Sequence, residues 1–223
     1  MTQDMDRAAA PPSRAVGVVL IASAIASVVL LASHPGEAGG SFADILKDEA
    51  AHQDVDAAVH GGFIAVLGIQ LVCLAVFSRR LGLARTPVVA GLTFFAMGVA
   101  FLCGSLLTDG LIVPAIAAKY AAAPAEKLEY AKSLFVLCGS AIRFLMPLGL
   151  LFQSAGIAGW GWALAGSGVS RAAGILGLLV GGAIIAALAA TATTLNPVVV
   201  MGGLGAQALW IVAAGALLLE RKL

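Results

Sequence analysis

The sequence predicts an all-α protein, a polytopic transmembrane bundle of six spans with a short non-cytoplasmic amphipathic helix between spans 1 and 2. Three observations predict it. Hydrophobic residues make up 61% of the 223-residue chain and charged residues 11%. A soluble domain carries roughly 25% charged residues, so this chain has too few to coat a water-facing surface. Six apolar runs each reach the length needed to cross hydrocarbon, on the order of 20 residues. Finally, the 27 glycines fall largely within those runs, where small residues let helix backbones approach closely in lipid. The lipid bilayer is therefore the first partner. A net charge of +1, with no basic tract interleaved with aromatics, excludes nucleic acid.

Residues 1–14 are polar, contain Pro11 and Pro12, and read as a disordered cytoplasmic leader. The first span covers about 15–33. Arg7 and Arg14 precede it as they would a signal peptide, but a signal core has roughly 7–15 residues and is followed by a small-residue cleavage site. No such site precedes His34-Pro35, so the helix is read as retained. His34-Pro35-Gly36 breaks the chain, and Ser41 is placed to cap a new helix from Phe42. Phe42, Ile45 and Leu46 share one side of it, which predicts a segment lying at the membrane surface. It leads into the second span, about 58–78. Arg79, Arg80 and Arg85 form the next loop. The third and fourth spans, 87–118 and 133–164, exceed what a bilayer needs and are expected to protrude, tilt or bend, with Pro114 and Pro147 as bend points. The fifth and sixth spans are 172–192 and 197–219, joined by a tight hairpin, and 220–223 is a cytoplasmic tail.

Basic residues in short loops set the orientation. With a cytoplasmic N-terminus, Arg7, Arg14, Arg79, Arg80, Arg85, Arg171, Arg221 and Lys222 all lie inside, whereas Lys47, Lys119, Lys127 and Lys132 lie outside with most of the acids. Both termini are expected in the cytoplasm, in an inner (plasma) membrane. Gly177-x-x-x-Gly181 and Gly202-x-x-x-Ala206 predict close packing of spans 5 and 6 and offer small-residue faces for an oligomer. Cys73, Cys103 and Cys138 lie in apolar runs without a CxxC pair and read as buried small hydrophobes. Trp160 and Trp162 fit an interfacial belt near Arg171.

Two groups of residues carry the functional expectations. An ionisable group within a span is costly unless paired, which singles out Asp109 in the third span and Arg143 in the fourth. Counted from the outer ends of two antiparallel neighbours, both fall about 13–15 Å deep, so an Asp109–Arg143 ion pair is expected. Gln70, Gln153 and Gln207, in the second, fourth and sixth spans, extend that pair into a polar pocket. The second group gathers the three histidines of the chain, His34, His52 and His60, with Glu49 and Asp56, at the non-cytoplasmic rim. Glu49, His52, Asp56 and His60 follow one helical stripe. Imidazole with carboxylate suits a transition metal, and His34 with His60 a haem. No nucleophile triad, phosphate loop or dinucleotide fingerprint is present, so the reading leans away from a classical enzyme. Three roles follow: small-molecule or ion binding and transport through a pocket open to the non-cytoplasmic side, an accessory protein without chemistry, or a metal- or haem-dependent oxidoreductase.

Overall fold

The computed structural model describes residues 13–33, 39–190 and 197–220. The helices are α1 (Ser13–Ala32), α2 (Phe42–Ala51), α3 (Gln53–Leu81), α4 (Thr86–Leu107), a π-helical turn (Thr108–Ile112), α5 (Val113–Tyr120), α6 (Ala125–Ala165), α7 (Arg171–Ala190) and α8 (Pro197–Leu219). Six helical stretches are long and apolar enough to cross a membrane: α1, α3, the continuous α4–α5 stretch, α6, α7 and α8. The chain is an integral, multi-pass membrane protein.

The bundle is held by helix pairs whose contact faces are made of glycine. Along the α4–α6 seam a Cβ on Gly98 would stand 2.6 Å from the Gln153 backbone nitrogen, and one on Gly156 would stand 2.7 Å from the Gly91 carbonyl oxygen. The helices approach this closely because no side chain intervenes, and close van der Waals packing is what holds helices together in lipid. Gly181 packs tightly against α6, where a Cβ would meet the Ser154 carbonyl oxygen at 2.5 Å, whereas Gly177 lies between α6 and α8, where a Cβ would meet the Trp210 indole nitrogen at 2.6 Å and Gly161 Cα at 3.0 Å. Gly202 faces open space.

Lengths differ sharply. The 20 residues of α1 cover about 30 Å, one hydrocarbon thickness. Leu30, near its end, packs against Gly62 of α3, so α3 residues before Gly62 project past α1. The 41 residues of α6 cover about 60 Å, twice a hydrocarbon core. Its projecting N-terminal part joins α2 and α5 in a small second core, where Leu46, Ala117 and Ala131 are buried among Phe42, Tyr120, Leu128 and Phe135. Thus the apolar side of α2 is turned at least in part onto protein. Ser41 caps α2, its hydroxyl accepting from the Asp44 N–H while the Asp44 carboxylate accepts from the Ser41 N–H at 3.1 Å.

The two ends of the bundle contrast in chemistry. At the end where α3 meets α4, and α6 meets α7, Arg85 donates to the Ala163 carbonyl at 2.7 Å and satisfies the C-terminal turn of α6. Just inside, Trp160 and Trp210 are fully buried and stacked 5.6 Å apart, with Phe77 edge-on to both. Trp160 donates to Ser78 and Trp210 to the Ala173 carbonyl. The interfacial belt expected of Trp160 is therefore corrected: its ring is in the core, because Ser78 supplies a partner for the indole N–H, and Trp162 is the exposed one.

Candidate functional site

The site begins with a proline. Pro114 has no N–H to offer the Gly110 carbonyl, and its ring crowds that carbonyl. The helix widens there into the π turn Thr108–Ile112, with the Thr108 hydroxyl donating to the Gly104 carbonyl at 2.8 Å. A π turn displaces the side chains it carries, and such turns recur at functional sites. This one carries Asp109 and Gly110, both turned toward α3. A side chain at Gly110 would overlap the imidazole of His60, so glycine is what lets the histidine seat there.

His60 is 3% exposed. Its Nδ1–H donates to the Asp56 carbonyl at 2.9 Å, and its Nε2 faces Asp109 Oδ2 at 3.3 Å. A carbonyl can only accept, so the Nδ1 proton is committed. Between Nε2 and the carboxylate there is then room for one shared proton, carried as imidazolium facing carboxylate or as imidazole accepting from a carboxylic acid. Asp109, with its side chain 36% exposed, is the outer member of the pair.

Both residues line a cavity of about 290 Å³. Its remaining wall is apolar, with Leu30, Phe63, Leu102, Met146 and Leu204 among its residues, contributed by α1, α3, α4, α6 and α8. One step deeper, past the shared walls Leu31, Phe63, Leu67 and Leu204, is a small chamber of about 20 Å³, mostly apolar, whose polar lining is Ser27, Gln70, Gln153 and Gln207. Gln70 donates to Ser27 at 3.0 Å, and Gln207 donates to Ser154 at 3.0 Å and to the Leu150 carbonyl at 3.4 Å. The Gln153 amide nitrogen is buried without a partner. The aromatic cluster of Phe77, Trp160 and Trp210 lies farther along toward the arginine end.

Several sequence expectations change. The Asp109–Arg143 pair does not form: Asp109 bonds to His60, and Arg143 is exposed on α6. The levels nearly match, since Gly104 packs at Leu145 and both residues lie within two turns outward of that contact. What fails is facing: Arg143 is on the exposed side of α6 and Asp109 turns to His60. Gln70 and Gln153 do come together, in a chamber separate from Asp109. The stripe of Glu49, His52, Asp56 and His60 is broken at His52, where α2 ends and α3 begins. His52 turns back to the Asp48 carbonyl at 3.0 Å, and no set of three His, Cys, Asp or Glu residues is placed to hold a metal among the described residues. His34 lies outside the described residues. The His60–Asp109 contact was missed because it joins residues far apart in sequence; the only signal was a glycine-proline pair, Gly110 and Pro114, beside an intramembrane acid.

Comparison with family models, curated proteins and solved structures finds no match to this chain.

Proposed function

We propose that this protein binds, and serves to transport, a small and largely apolar molecule that enters from the non-cytoplasmic side. The observation that carries this reading is the 290 Å³ apolar cavity with the His60–Asp109 pair on its wall. Pockets of this kind, mostly apolar with a few convergent polar groups, are the usual form of a small-molecule site, and this one is near the lower end of their size range. At about 30 Å³ per non-hydrogen atom, the share a water molecule takes in the liquid, it holds roughly ten. The arginines at the far end favour a cytoplasmic location for the aromatic cluster, which leaves the cavity mouth facing outward.

A purely apolar probe tests the reading. In nanodiscs, the ¹⁹F signal of 1-fluorooctane is expected to show a saturable protein-bound component in the native chain and none in Leu102→Trp, which fills the cavity. The Leu102→Trp protein must keep its helical circular dichroism and monodisperse elution. A signal that grows linearly with probe and is equal in both proteins would retire the proposal.

A further inference from the structure

Resting on that reading, we propose that the ligand is a monovalent organic cation, an ammonium on an apolar body, bound at Asp109 in exchange for the proton that Asp109 shares with His60. The class is a hydrophobic amine of roughly ten non-hydrogen atoms, the number the cavity holds at about 30 Å³ each.

The charges around the cavity decide the sign of the ligand. Its described lining has two polar side chains, His60 and Asp109, and no lysine or arginine. A second acid, Asp56, is 6% exposed one turn before His60 on α3, and its charge, like that of Asp109, acts on the imidazole. The other elements near the pair bring no cation to it. The α4 helix has no charged residue, and the one on α1 is Arg14 at the opposite end; Lys47 on α2, Lys119 on α5 and Arg143 on α6 are all exposed. Two carboxyl groups therefore share one base. An anionic ligand would add a further negative charge beside them. An ammonium buried in an apolar cavity requires a counter-charge, and this wall supplies one.

The acid is also accessible. The side chain of Asp109 is 36% exposed, and His60 engages only its Oδ2. An ammonium in the cavity thus meets a carboxylate that is half engaged, and a charge-assisted hydrogen bond to it is among the stronger kinds. Exchange follows from the shared proton. With the Nδ1–H committed to the Asp56 carbonyl, the pair holds one mobile proton between Nε2 and Oδ2. When the ammonium donates to Asp109, the bond between Nε2 and Oδ2 breaks and that proton goes to water. The imidazole is left neutral, and the net charge of the site is unchanged. Leu30, near the end of α1, packs against Gly62, two residues from His60, so the pair stands toward the outer end of the bundle, where water is at hand.

The probe is 8-fluorooctylammonium, compared by ¹⁹F signal with 1-fluorooctane on the full chain in phosphatidylcholine nanodiscs, with empty nanodiscs subtracted. Like a lysine, with its ordinary value near about 10.4, the amine keeps its charge throughout the range used. At about pH 8 the ammonium is expected to bind about tenfold tighter than 1-fluorooctane or more, which is about 1.4 kcal/mol. Between about pH 8 and pH 5, where imidazole ordinarily changes charge, its affinity should fall by up to about tenfold per unit, the mark of one displaced proton. His60→Gln should flatten that profile, and Asp109→Asn should cut the ratio of ammonium to 1-fluorooctane affinity about tenfold. The native profile needs no variant, should either fail to fold. A flat native profile, a profile that persists in His60→Gln, or an ammonium no tighter than 1-fluorooctane would overturn the exchange and leave a neutral apolar site. If 1-fluorooctane never saturates while the ammonium binds with the expected profile, the apolar-cavity reading fails and the cation site stands. If neither binds, both fail.

Discussion

The two halves of the bundle are filled in opposite ways. Toward the arginine end, large rings fill the interior: Trp160, Trp210, Phe77 and Phe95 are each fully buried, with Phe77 edge-on to both indoles and Phe95 against Trp160. Their polar atoms are matched, indole to hydroxyl and indole to carbonyl. Toward the histidine end, leucine, valine and methionine side chains ring a void and leave the His60–Asp109 pair as its polar feature. The glycine seam between α4 and α6 runs past both halves. What differs is whether side chains from the other helices meet across the middle. Tight packing on one side of a void makes a site open at one end; looseness on both sides would make a pore.

A first effect is expected at the seam. Gly156→Leu drives a side chain into the Gly91 carbonyl and the Phe95 backbone, and overpacking costs about 1–3 kcal/mol or more. Reversible unfolding in mixed SDS and dodecylmaltoside micelles should show at least that loss. Next is the contrast itself. Phe77→Ala should cost about 3–5 kcal/mol in the same assay, as for a packed aromatic. Leu30→Ala, at the cavity wall, should cost clearly less, since part of its surface already lacks a packing partner. Equal costs would mean that the cavity half is as well packed as the other.

The pair supplies the third comparison. Asp109→Leu removes the carboxylate that faces His60 Nε2 and should cost about 1–3 kcal/mol, whereas Asp109→Asn donates to it and should stay within about 1 kcal/mol. Identical losses would show that the 3.3 Å contact contributes nothing. The smallest effect belongs to α2. The hydrogen bonds from Ser41 hold the Asp44 carboxyl below its ordinary value. A carboxyl depressed in the folded state stabilises above its unfolded value and loses that contribution as pH falls through the folded one. Amide exchange in α2 should therefore accelerate in that acid range before the bundle opens, and Asp44→Asn should remove the pH dependence. A pH-independent α2 would mean that the capping box is not what holds it.

The placement of helices was largely legible from the chain, since a span declares itself by the length of an apolar run and its ends by charge, proline and glycine. The same local signals marked Ser41 as a cap, Pro114 as an irregularity and His52 as one of the rim histidines. Which polar groups meet was not legible. Asp109 was assigned to Arg143 from matched depths along two helices, and depth along an axis does not say which way a side chain faces.

Sequence alone determined that the chain spans a membrane six times and which residues are too polar to be casual in its spans: Asp109, Arg143, Gln70, Gln153 and Gln207, with His60 counted at the rim. Hydrophobicity and helical period are properties of neighbours in the chain, and they suffice for that. Tertiary structure decided that Asp109 turns to His60 through a π turn, that the glutamines gather in a chamber of their own, and that a cavity lies between. Those are relations between helices, set by the glycine contacts and by volume left unfilled, and no single segment of sequence contains them.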